Sequence, residues 1–114
     1  MTEEGELNVF KALDFLKRTA PKYAKAKAER IFLEEFRKSK KAMLMKAVEK
    51  EYPSAAAQER EAYAHPEYLE LLTALKIATE EEEKLRWLMT SAQVTIQSWQ
   101  TLEATKRLEM KIIP

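Results

Sequence analysis

The chain has 114 residues, no cysteine, a single glycine, 34% charged and 46% hydrophobic residues, and a net charge of +1. These values describe one foldable, helix-rich domain and exclude a disulfide framework or a thiolate zinc site. The acidic start carries no apolar core of signal-peptide length, and no uncharged apolar stretch reaches membrane-spanning length, so the expected setting is the cytoplasm.

Residues 1–7 are expected to form a flexible N-terminus, with one all-helical domain over 8–114. Asn8 can cap a first helix over Val9–Arg18, with Val9, Leu13 and Leu16 on its apolar face and Phe10 beside them. Thr19 and Pro21 mark a restart, and a second helix is expected from Pro21 to about Glu51. Its apolar stripe reads Ala24, Ala28, Phe32, Phe36, Met43 and Ala47, widened by Ile31, Leu44 and Val48. Tyr52-Pro53 ends it, Ser54 caps a short helix over Ala55 to about Ala64, and His65-Pro66 interrupts again.

From Glu67 to Ile113 no proline or glycine occurs. Those 47 residues form one final helix, roughly 70 Å long if straight. A coiled-coil seam in alternating steps of four and three runs Leu71, Leu75, Ala78, Glu82, Leu85, Met89, Ala92, Ile96, Trp99, Glu103. Leu72, Leu88 and Leu102 widen it. Thr90-Ser91 and Val94-Thr95-Ile96 lower helix propensity, so a bend near Thr90 is left open. The two long segments have similar lengths, so the expected fold is all-α, an antiparallel helical hairpin with a long C-terminal helix. Two arms alone bury little. Either the first helix folds back at Pro21 or chains pair; Trp87 and Trp99, about 120° apart around the helix, favour an oligomeric helical bundle, most simply a homodimer.

Charge is segregated: residues 22–50 carry a balance of +6 and residues 51–114 one of −4. The basic helix suggests contact with DNA or an acidic partner through Arg30, Arg37, Lys38, Lys40 and Lys41. The competing reading is a solvated face matched in part by Glu80–Glu83. Around the elbow, Tyr52, Tyr63, His65 and Tyr68 are partner-interaction candidates, and Trp87 and Trp99 join them on the final helix. Each of these also has a packing role open to it, His65 as a helix cap or corner residue.

Catalytic constellations are excluded by composition. One histidine, one aspartate and no glycine-rich loop leave no triad, phosphate loop or di-iron site, so no enzyme, metal or cofactor is expected.

The stretch Ala57-Gln58-Glu59-Arg60-Glu61-Ala62-Tyr63-Ala64-His65-Pro66-Glu67-Tyr68, followed by Glu81-Glu82-Glu83-Lys84-Leu85-Arg86-Trp87 and Trp99, resembles small helical early-region proteins of tailed bacteriophages and prophages. The resemblance covers residues 25 to 107. Those proteins are of undefined function and are often encoded among genes for DNA recombination and replication. The resemblance implies a setting, a phage accessory protein in the host cytoplasm near DNA transactions. The expected function is a non-enzymatic accessory protein of DNA recombination or replication that contacts DNA or an acidic partner through its basic helix; the alternative is an interaction protein that binds and inhibits or recruits a host protein without contacting DNA. It supplies no catalytic motif.

Overall fold

The computed structural model describes residues 3–112. Met1 and Thr2 of the expected flexible segment, and Ile113 and Pro114 of the expected domain, lie outside them. The described chain is all-helical: α1 spans Glu3–Ala47, α2 Ala55–Ala64 and α3 Pro66–Ile112. No strand occurs among the described residues.

The expected break at Pro21 is absent. α1 starts at Glu3, ahead of Asn8, and runs through Pro21 without interruption. An internal proline removes one backbone hydrogen bond and crowds the carbonyl four residues back, at a cost of about 3 kcal/mol. Pro21 is exposed while Thr19 is buried and Tyr23 half-buried, so its ring lies outward, where water can satisfy the freed Lys17 carbonyl. Burial in α1 follows Gly5, Val9, Ala12, Leu16, Thr19, Tyr23, Ala26, Arg30 and Leu33, a strict four–three alternation that passes Pro21 without a phase change. A three-helix arrangement made by folding back at Pro21 is thereby overturned.

The expected stripe of α1 is also corrected. Ala24, Ala28, Ile31, Phe32, Met43 and Ala47 are exposed; Phe36 and Val48 are half-buried, and only Leu44 is buried. Steps of four overshoot a 3.6-residue turn, so Ala24 and Phe36 stand about 120° apart. A stripe that precesses in this way cannot stay on one seam. In α3, by contrast, all ten expected seam positions are buried or half-buried. The seam is narrow, because Leu72, Leu88 and Leu102 are exposed at 36%, 44% and 57%. α3 continues as helix through Thr90, whose hydroxyl donates to the Arg86 carbonyl at 2.9 Å.

The chain divides into two compact units. One comprises residues 1–24 and 83–114, and its buried side chains are Val9, Ala12, Thr19, Leu85 and Ala92. The other comprises residues 25–82, with a core of Leu44, Ala62 and Tyr68 and with Met45 packed against it. No large side chain among the described residues is fully buried.

Candidate functional site at the elbow

The elbow is built by local backbone chemistry. α1 ends at Ala47 and closes in turns, the Tyr52 N–H donating to the Val48 carbonyl at 2.9 Å. Ser54 caps α2 by accepting the Ala57 N–H at 3.1 Å, and the Gln58 amide donates to the Tyr52 carbonyl at 2.8 Å. His65 ends α2, its N–H bonding the Ala62 carbonyl, while its Nδ1 accepts the Glu67 N–H at 3.0 Å. It therefore caps two helices at once. With Nδ1 accepting, the neutral ring carries its proton on Nε2.

These turns bring two groups of sequence-predicted residues together. Arg37, Lys38, Lys41, Ala42 and Met45 of α1 face Tyr63 of α2 and Tyr68 of α3 around an open pocket of ≈ 600 Å³. The tyrosine rings meet edge to face with centroids 5.3 Å apart. Lys41 Nζ stands 4.7 Å over the Tyr63 ring and 3.5 Å from Glu59. Its ammonium is pushed above its ordinary value, first by the interaction with Tyr63 and then by Glu59, against the effect of burial.

Among the other basic candidates, Arg30, Lys38 and Lys40 are paired with carboxylates. Arg30 forms a forked pair with Glu82, Nε to Oε2 at 2.6 Å and Nη2 to Oε1 at 3.1 Å, and its Nη1 reaches Glu34 at 3.0 Å. The hydrogen bond to Glu82 holds the guanidinium well above its ordinary range. Lys40 Nζ lies 3.1 Å from Glu67, and this contact lowers the Glu67 carboxyl below its ordinary value of 4.5. Lys38 reaches Glu35 at 3.5 Å across an exposed face. Arg37 is exposed and makes no ion pair among the described residues.

Of the aromatic candidates, Tyr52 is half-buried and contributes its carbonyl to the turn. Tyr63 is exposed and Tyr68 buried. Trp87 is 59% exposed, with the Arg86 guanidinium 4.8 Å over its ring. Trp99 is half-buried in the first unit, and its indole N–H is buried without an acceptor. A small, mostly apolar cleft beside it is lined by Glu6, Val9, Phe10 and Leu13.

Sequence reading did not place Ala42 and Met45 at the site. The signal was present: Lys38, Lys41, Ala42 and Met45 follow i, i+3, i+4, i+7 and share one face of α1. Chemically the pocket offers cations over an aromatic floor, which suits binding of an anionic group attached to an apolar one. Among the described residues no cluster of three or more His, Cys, Asp or Glu could hold a metal ion. No described helix is long and apolar enough to cross a membrane. No family model, no curated protein and no solved structure matches the chain.

Proposed function

We propose that the chain is a non-enzymatic accessory protein that captures an acidic segment of a protein partner at the elbow. The observation that carries this reading is the convergence of Arg37, Lys38 and Lys41 on the Tyr63–Tyr68 pair. A carboxylate-bearing segment would place its charge on Arg37 and its apolar part against Met45 and the rings. The resemblance to phage early-region proteins supplies the setting, recombination or replication in a host cytoplasm.

Direct DNA contact through the basic helix is the second reading. It has less support, because Arg30 and Lys40, which would extend the cationic row beyond the pocket, already hold carboxylates of the same chain. The Tyr63 face that could stack on a base carries Lys41. The host-protein reading keeps only part of its acidic run as a docking element, since Glu82 is buried and Glu83 is paired with Arg86 at 2.6 Å, while Glu80 and Glu81 are exposed.

The architecture we propose is the antiparallel hairpin, assembled as a homodimer. The ion pairs Arg30–Glu82 and Lys40–Glu67 support opposed helix directions within the second unit.

A titration with a fluorescent Glu-rich peptide and with an equally labelled DNA oligonucleotide, each across a salt series, tests the reading. The peptide should bind, and Arg37→Glu should weaken it at least tenfold. Tight DNA binding that falls steeply with salt and survives Arg37→Glu would replace the acidic partner with the phosphate backbone.

A further inference from the structure

α3 carries a second, outward face within the first unit. From Trp87 to Leu102 there is no charged residue, in a chain that is 34% charged. Trp87, Leu88, Val94, Leu102 and Leu108 are all exposed there, at 59%, 44%, 52%, 57% and 61%. Ser91, Ser98, Thr101 and Thr105 lie between them and are exposed as well. The threonine hydroxyls are already satisfied: Thr101 donates to Gln97 and Thr105 to Thr101, each at 3.0 Å. Covering this face therefore buries methyl groups and leaves few polar atoms stranded. A shallow groove lined by Val94, Gln97, Ser98, Thr101 and Leu102 marks its middle.

We infer that this face is the contact with a second copy of the chain, two α3 helices packing antiparallel about a two-fold axis at Ser98. This deepens the homodimer stated under the proposed function and is independent of the elbow. Three observations select a second copy over another partner. The spacing is self-complementary to within one residue, about 1.5 Å, since reversing the direction about Ser98 sets Ser91 against Thr105 and brings Trp87 to Leu108 and Val94 to Thr101. Bulky residues close both ends and small ones let the backbones approach at the centre. The lack of charge is what a two-fold contact requires, because any charge near the axis would meet its own image.

The third observation is area. The chain exposes 8780 Å². A compact monomer of its mass exposes about 6,500 Å², so the surplus is about 2,300 Å². A standard interface takes roughly 800 Å² from each partner, well within that surplus.

The absence of native cysteine makes the test direct. Ser98→Cys, Ser91→Cys and Thr105→Cys are prepared singly and treated with a short bis-maleimide. Ser98→Cys should cross-link to a covalent dimer. Ser91→Cys alone should not, since its copies lie about 21 Å apart along the axis, whereas a mixture of Ser91→Cys and Thr105→Cys should. Cross-linking of Ser91→Cys alone would indicate parallel helices and overturn the arrangement.

Light scattering should give twice the chain mass for the wild type, and Ser98→Lys should give a monomer with unchanged helical dichroism. A monomeric wild type overturns both this contact and the homodimer. A dimer that persists in Ser98→Lys overturns this contact alone. Neither result touches peptide binding at the elbow, which uses residues of the other unit.

Discussion

Arg30 illustrates how position decides what a charged side chain can do. Its place on the α1 seam, next to a buried Glu82, removes it from the solvent-facing basic set that its sequence neighbourhood suggests. Glu82→Ala leaves a partly buried guanidinium with only Glu34 as its counter-ion and should lower the melting temperature. Arg30→Leu combined with Glu82→Leu should recover much of the loss, because an apolar pair of similar volume replaces a buried ion pair with little penalty. Thermal melts of the three variants check this. If the double variant melts below Glu82→Ala, the pair does more than satisfy itself.

The Glu67–Lys40 contact sets an acid limit at the same scale. A carboxyl whose folded pKa lies below its ordinary value of 4.5 contributes stability above that value. The contribution is lost as pH falls through the lowered pKa. The melting temperatures of Glu67→Gln and wild type should therefore differ at pH 7, begin to approach one another as pH falls past 4.5, and merge only below the lowered pKa. For Lys41, raised above 10.5, the sign is opposite: its contribution is complete below 10.5 and disappears as pH rises through the raised value.

Among the elements, α1 is the one whose sequence misleads. Pro21 carries the usual signal for a helix start, and the steps of four from Ala24 to Phe36 look like a core face. Neither signal contains the partner helix, and packing along the four–three seam overrides both. Pro21→Ala should consequently stabilise the chain by roughly 1–3 kcal/mol, since an outward-facing proline gives up a hydrogen bond with no compensating contact. Leu85→Ala, at a buried seam position, should cost roughly 2–5 kcal/mol by chemical denaturation.

α2 and α3 were legible because their boundaries are local. Ser54, His65 and Pro66 act through caps only a few residues long. The α3 seam was legible because its period matches a helix pair. The elbow pocket was half legible: its cations and tyrosines stand out in sequence, but their meeting depends on how α1, α2 and α3 turn about Leu44 and Tyr68.

For the molecule as a whole, the seven apolar side chains buried among the described residues make a small core. A core of that size implies marginal stability for a single chain, and in the proposed homodimer association would be part of folding. The melting temperature should rise with protein concentration over a hundredfold range in the wild type and stay flat in Ser98→Lys. A concentration-independent wild-type transition would mean that each chain is stable alone.

The Arg30–Glu82 pair has one more consequence, for fidelity. A four–three seam repeats every seven residues, so within the second unit a slip of α3 by one repeat against α1 would still present mostly apolar residues to apolar residues. Such a slip would set Arg30 opposite Leu75 and leave Glu82 without its guanidinium. Glu82 would be desolvated away from its guanidinium, and Arg30 would keep only Glu34 of its own helix. The pair thus acts as an index mark, excluding the near-miss alignments that a purely aliphatic seam would tolerate.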